Sequence, residues 1–302
     1  MKQYSINNIQ EQKIFRYIVI ELFAGITRSN MLYLENLIKK DFNHALFVHL
    51  ETGLYSEISD SNIPEQFVLN SESEIVDFYK ASGVKHLLIL NSKDLKNKGL
   101  FDLLFEFIKQ AESIWVDPSF SSDVGKELPS NQCNFLPSTL SDFNPVCKLL
   151  NAGKVKDVAE KLGYLYQLRG KVIHGNNLGQ KLGYPTANLS VDDKRKIIPA
   201  KGVYIAFVKA NNNWHKSMVN VGMRPTLNNN ELTIEAHIFE FNNSIYGKDI
   251  SIHFCDKLRN EKRFPSVELL KKQMITDEKN ALAAIENIET KFHFTDGFCF
   301  KV

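Results

Sequence analysis

Over the first half of the chain, short unbroken apolar runs alternate with longer stretches of helical period. Tyr17-Ile18-Val19-Ile20, inside residues 16–23, predicts a strand buried on both faces of a parallel sheet. Leu32, Leu34, Leu37 and Ile38 recur at near-helical spacing and predict a helix over 31–40. Strands are then expected at 45–50, 85–90 and 113–116, with helices at 72–82 and 100–111. Strand alternating with helix is the pattern of a doubly wound α/β domain, whose ligands bind at the carboxyl ends of the strands. That places the turn after Phe23 at the expected site.

Residues 135–145, with Pro137, Pro145 and several serines, read as irregular connection, and 148–162 as one helix, so that the boundary falls near Gly163. The period then changes. Apolar runs at 170–174, 203–210, 215–221, 232–240 and 250–254 are separated by turn formers such as Asn211-Asn212-Asn213 and Asn228-Asn229-Asn230. This spacing predicts a small antiparallel barrel. A last helix is expected with Ser266 as its cap and Glu268 or Leu269 in its first turn, running through Leu270 and Met274, before an aromatic tail from Phe292 to Phe300.

Composition narrows the function classes. A chain of 302 residues, 43% hydrophobic, is enough for two packed cores. Its 37 basic and 35 acidic residues leave a formal charge of +2, too little for a nucleic-acid or membrane-surface field. The polar start Met1-Lys2-Gln3-Tyr4-Ser5 and the want of a long apolar run argue against export or insertion, so a cytoplasmic location is expected. Cys133, Cys147, Cys255 and Cys299 show no CxxC pair and are expected to be free thiols.

The candidate chemistry centres on Leu182-Gly183-Tyr184-Pro185-Thr186-Ala187-Asn188-Leu189, which follows Gly170, Gly175 and Gly179. Flexible backbone leading into a fixed turn can approach a polyphosphate, although the same residues also suit a tight turn into a strand. In an extended segment Thr186 and Asn188 lie on one face, where their oxygens could share a hard cation such as magnesium. Glu235 stands in an apolar strand between Ile234 and Ala236, where a carboxylate needs a partner or a task. His237 faces the same side, either to orient Glu235 or as a satisfied structural histidine.

Further segments carry a resemblance: Gly202-Val203-Tyr204, Asn220-Val221-Gly222-Met223-Arg224-Pro225-Thr226, Glu235-Ala236-His237-Ile238-Phe239, Ile245-Tyr246-Gly247 and Leu258-Arg259-Asn260-Glu261-Lys262-Arg263-Phe264. With the loop at 182–189 they resemble, in this order over about 168–281, the riboflavin kinase domain of the bacterial bifunctional riboflavin kinase/FMN adenylyltransferases (FAD synthetases). The resemblance implies Mg-ATP-dependent phosphorylation of riboflavin to FMN. By it Glu235 is the general base, Thr186 and Asn188 are the magnesium ligands, and Gly175, Gly179 and Lys181 lie in the loop over the nucleotide phosphates. Arg259, Glu261 and Phe264 fall in the loop that closes over the flavin and its new phosphate, Arg259 having a surface charge as its plainer reading. Arg224 is left between a turn and a site.

In three places the chain departs from the family. The adenylyltransferase turn Gly-x-Phe-Asp-Gly-x-His-x-Gly-His corresponds here to Glu21-Leu22-Phe23-Ala24-Gly25-Ile26-Thr27-Arg28-Ser29-Asn30, so Thr27 and Asn30 replace both histidines. Where the family's Ser-Ser-Thr-Arg-Ile-Arg would stand, the chain has Asp142-Phe143-Asn144-Pro145-Val146-Cys147, without the arginines, for which Arg28 or Lys126 could substitute. The phosphate loop has leucine and glutamine at Leu178 and Gln180 where arginines are common, which implies weaker ATP binding. The expected arrangement is a degenerate nucleotidyltransferase-like parallel sheet at 1–147, a helical linker at 148–165, a riboflavin-kinase β-barrel with its helix at 166–287 and a tail at 288–302. A bifunctional enzyme still adenylylating FMN and a non-catalytic flavin-binding regulator are the alternatives. Riboflavin, FMN, ATP and ADP are the expected partners, with no nucleic acid or membrane, and self-association stays open.

Overall fold

The computed structural model of the chain describes residues 1–4, 15–21, 26–28, 31, 34, 44–50, 68–90, 111–116, 133–135, 143–175, 178–225 and 230–302. The chain divides into two compact units, Met1–Pro145 and Val146–Val302.

The first unit is built on a wholly parallel sheet. Its strands are β1 (Lys2–Tyr4), β2 (Tyr17–Glu21), β3 (Ala45–Leu50), β4 (His86–Leu90), β5 (Ser113–Val116) and β6 (Cys133–Phe135), in the order β1-β4-β3-β2-β5-β6. Val19, Leu46, Leu87 and Ile114 are at most 1% exposed, which explains why the strands read as continuous apolar runs. Helix α1 (Glu72–Ala81) starts in a capping box: the Ser71 hydroxyl accepts from Glu74 N, and the Glu74 carboxylate accepts from Ser71 N. The short outer strands β1 and β6 have too few residues for a periodic signal. The helices expected at 31–40 and 100–111, and the turn at Phe23 to Gly25, lie largely or wholly outside the described residues.

Between 143 and 162 the single expected helix is two, α2 (Phe143–Asn151) and α3 (Val155–Leu162). The break is at Gly153, whose φ of 73° lies in the left-handed region that ends a helix. The first helix also begins inside the stretch read as irregular, because Pro145 occupies its first turn, where a missing N–H does no harm.

The second unit is a closed barrel of antiparallel strands, as its turn spacing predicted, followed by a long helix. The strands are β7 (Gln167–Ile173), β8 (Ala187–Val191), β9 (Gly202–Ala210), β10 (Asn213–Pro225), β11 (Asn230–Ile238) and β12 (Asp249–Arg259), closing in the order β10-β11-β8-β7-β12-β9. A one-turn helix α4 (Leu178–Lys181) precedes β8, and α5 (Val267–Glu289) is capped by Ser266, whose hydroxyl accepts from Leu269 N. Strand β8 was not separated in the sequence from the turn ahead of it, since it has only five residues and Ser190 interrupts its apolar run. Leu165, Leu182, Tyr184, Ile205, Phe207, Met218 and Phe239 form the core, with Ala281 and Ile285 of α5 packed into it.

The aromatic tail belongs to this unit. It folds as a hairpin, β13 (Phe292–Phe294) with β14 (Cys299–Lys301), tied back by Leu165 N to Cys299 O at 3.0 Å and Lys301 N to Gly163 O at 2.8 Å. Phe298 is fully buried, edge-on to Tyr164 at 5.1 Å. Cys147, Cys255 and Cys299 are free thiols. Among the described residues no helix is long and apolar enough to cross a membrane.

His253 of β12 is fully buried, with Nε2 2.9 Å from the Ser251 hydroxyl and its ring 4.7 Å from Trp214. Burial, and then the cations Arg169, Lys209 and Lys196, hold it well below the ordinary histidine range. Its folded pKa is thus lower than its unfolded one, so below about 6.5 the unfolded chain takes up a proton that the folded barrel refuses, and stability falls with pH. In a Trp115→Phe chain, Trp214 is the remaining tryptophan of the two present. Denaturant unfolding followed by its fluorescence should lose up to ~1.4 kcal/mol per pH unit below about pH 6.5. His253→Gln should flatten that slope; an unchanged slope would clear His253 of the effect.

Candidate active site

Strand register brings the polar residues of three segments together. Glu235 on β11 is paired with Asn188 on β8 and with Asn220 on β10, so the three side chains form one row across the barrel wall. Thr186, just before β8, donates its hydroxyl to Glu235 Oε2 at 3.4 Å. Asn188 is 7% exposed and Glu235 is half-buried. Thr186, Asn188 and Glu235, singled out from separate stretches, thus lie side by side. Asn220 was not singled out in the sequence as a site residue; its signals were its place at the head of the resembling segment 220–226 and a polar residue inside the apolar run Met218-Val219-Asn220-Val221.

Two glycines of the preceding loop allow this closeness. A Cβ on Gly175 would stand 2.2 Å from Asn188 Nδ2, and one on Gly179 would stand 2.3 Å from the carbonyl oxygen of Tyr184 and 3.3 Å from Thr186 Cγ2. Gly179 O in turn accepts from Tyr184 N at 2.8 Å, which folds the chain back toward β8. Lys181 ends α4, and its side chain lies outside the described residues.

His237 is 9% exposed, and its Nδ1 lies 2.8 Å from the carbonyl oxygen of Pro185. A carbonyl only accepts, so Nδ1 carries the proton. Its ring stands edge-on to Tyr184 at 5.0 Å and to Phe239 at 5.6 Å. Tyr184 donates its hydroxyl to Glu278 of α5 at 3.0 Å, and burial, then Glu278, pushes the phenol up to about 12. It therefore stays a donor at any physiological pH.

Two cavities meet at Thr186. One, of about 280 Å³, lies between the barrel and α5 and is lined by Glu235, Asn220, Arg259, Glu261, Phe264 and Met274 among others. The other, of about 360 Å³, is lined by Gln180, Pro185, Phe241, Asn242, Ser244 and Tyr246 among others.

Arg259, Glu261 and Phe264 all reach the smaller cavity, as does Lys262. Arg259 Nη2 lies 2.8 Å from Asp277 Oδ2, and Nε lies 2.9 Å from the same oxygen, while Gln273 donates to Asp277 Oδ1 at 2.8 Å. The surface-charge reading of Arg259 does not hold, because its side chain is 22% exposed and pairs with a carboxylate that is 4% exposed. Its guanidinium also sits 5.8 Å from the Phe264 ring centroid. Glu261 accepts from Met223 N at 3.2 Å, an approach open only because Gly222 lacks a Cβ, which would stand 2.7 Å from Glu261 Oε1. The Arg224 side chain lies outside the described residues.

Residues 162–285 match the family model described as Flavokinase, riboflavin kinase. The second unit carries a riboflavin kinase family domain. Curated relatives agree: a bifunctional riboflavin kinase/FMN adenylyltransferase of Haemophilus influenzae is 42% identical over 40% of this chain and 39% of its own length. Those of Listeria monocytogenes and Escherichia coli are 33% and 35% identical over 47% and 40% of this chain. The matches thus span about two fifths of those relatives (39%, 45% and 38%). A crystal structure of a macrolide-efflux protein from Streptococcus pneumoniae, 22% identical, aligns over 92% of this chain and 97% of its own with a TM-score of 0.73, which establishes a shared fold.

Within the kinase family domain the Arg259–Asp277 pair is shielded enough that removing one partner strands the other. Asp277→Ala should lower unfolding free energy by about 3 kcal/mol. Arg259→Met with Asp277→Leu should recover most of that loss by burying apolar surface in its place, as denaturant titration of the two chains would register. A single variant as stable as the parent would mean the pair contributes nothing.

Proposed function

We propose that this protein is an ATP:riboflavin 5′-phosphotransferase that makes FMN, and that its first unit is an adenylyltransferase-like domain without that activity. The observation that carries the reading is the contact of Thr186 with Glu235 at the meeting of the two cavities. Phosphoryl transfer to an alcohol needs two adjoining substrate chambers, a cation site on the phosphates and a base at the hydroxyl. Here the flavin would occupy the chamber between barrel and α5, under Arg259, Glu261 and Phe264. The nucleotide would lie along the Gly175 to Lys181 loop in the other.

Glu235 takes the proton of the ribityl 5′-hydroxyl as its oxygen bonds to the γ-phosphorus and the bond to the bridging oxygen of ADP breaks. Thr186 and Asn188 suit magnesium: both offer oxygen donors, and a site with one or two protein ligands is completed by phosphates and water. The open face of Gly175 leaves the Asn188 amide its room, which fits such a role. When bound, the cation neutralises charge developing on the phosphates. Lys181 supplies a counter-charge in the same loop.

For the first unit, the support is the replacement of both phosphate-binding histidines by Thr27 and Asn30. Thr27 is 1% exposed, so its side chain is turned to the interior. A cytoplasmic location accords with the near-neutral charge.

Incubating the protein with riboflavin, ATP and magnesium, then separately with FMN, should yield FMN in the first case and no FAD in the second. FAD from FMN would make it bifunctional; riboflavin bound but unconverted would make it a flavin-binding protein. Glu235→Gln should lower kcat at least ~100-fold with riboflavin binding kept, since a positioned base contributes about that much. Gly175→Ala should leave the fold intact, because the Asn188 amide can swing aside, while raising the magnesium needed for half-maximal rate by ~10-fold or more.

A further inference from the structure

The segment Tyr184-Pro185-Thr186 is anchored at two ends by side chains that take no part in the chemistry above. His237 of β11 donates to Pro185 O at 2.8 Å, and Tyr184 donates to Glu278 of α5 at 3.0 Å. The Tyr184 and His237 rings meet edge to face at 62°, so the anchors touch. Thr186 follows at once and reaches Glu235 at 3.4 Å.

The segment needs anchoring. It follows Gly183, at a φ of 87°, and a helix of one turn, to which its backbone is tied through Tyr184 N and Gly179 O. Reacting groups misplaced by an ångström lose much of their rate. The Tyr184 ring lies in the core with Leu182, Met218 and Phe239, and a phenyl ring would fill the same space. Packing therefore asks for the ring but not for its hydroxyl. Neither Tyr184 nor Glu278 is among the described residues lining either cavity, so neither touches a ligand held there.

We propose that Tyr184 is a positioning residue for phosphoryl transfer: its hydroxyl, held by Glu278, fixes Thr186 against Glu235, with His237 as the second anchor. The inference rests on the kinase reading. Because α5 also forms a wall of the smaller cavity through Leu270 and Met274, the tie links that wall to the residue shared by both cavities.

Steady-state kinetics of FMN formation test it. Tyr184→Phe and Glu278→Ala should each lower kcat about tenfold while the riboflavin KM stays within about twofold, because alignment and not binding is lost. The double variant should be no slower than either single one, since both remove the same bond. Glu278→Gln should restore kcat to within about twofold, its amide oxygen accepting from the phenol as the carboxylate does. Riboflavin-binding stoichiometry gives the folded fraction of each variant. Single variants with parental kcat, multiplying losses in the double, or a glutamine chain as slow as the alanine one would each overturn the proposal while the kinase reading stands. A parent chain that makes no FMN would end both.

Discussion

The site depends on one register. Glu235 lies opposite Asn188 on one side and Asn220 on the other, and a slip of one residue in β11 would turn Glu235 to the opposite face of the wall. That register is held by the closed barrel, in which every strand has two neighbours, and by Ile234, Ala236 and Ile238, each at most 5% exposed. Burial of those neighbours fixes which way the carboxylate points. The geometry of the row is here a by-product of packing.

Around that row, close approach is obtained by leaving atoms out. Gly175 makes room for the Asn188 amide, Gly179 for the backbone at Tyr184, and Gly222 for the Glu261 carboxylate. Rigidity comes from α5 instead. Asp277 holds Arg259 and Glu278 holds Tyr184, so consecutive residues of one helix tie down two different loops beside the smaller cavity. The aromatic hairpin at the end of the chain completes the same unit, with Phe298 buried against Tyr164. These ties are what make the barrel and its helix a single device.

The first unit rests on a scaffold of its own. Its parallel sheet is held by buried aliphatic residues such as Val19, Leu46 and Ile114. Thr27, beyond β2, is buried as well.

What the sequence determined by itself was what short-range physics governs. Continuous apolar runs indicated the parallel strands, asparagine-rich turns the barrel and Ser266 the start of α5, whereas Thr186, Asn188 and Glu235 were candidates whose roles came from the family resemblance. Shorter elements escaped it: β1, β6, β8 and the tail hairpin are too brief to show a period, and the break at Gly153 depends on a left-handed φ that sequence spacing does not reveal. Only the tertiary structure decided the partners. Arg259 with Asp277 are 18 residues apart, Thr186 with Glu235 49, and Tyr184 with Glu278 94. Each such pair is made by how strands and helix pack, and no local preference encodes a contact whose two halves meet only after the barrel has closed.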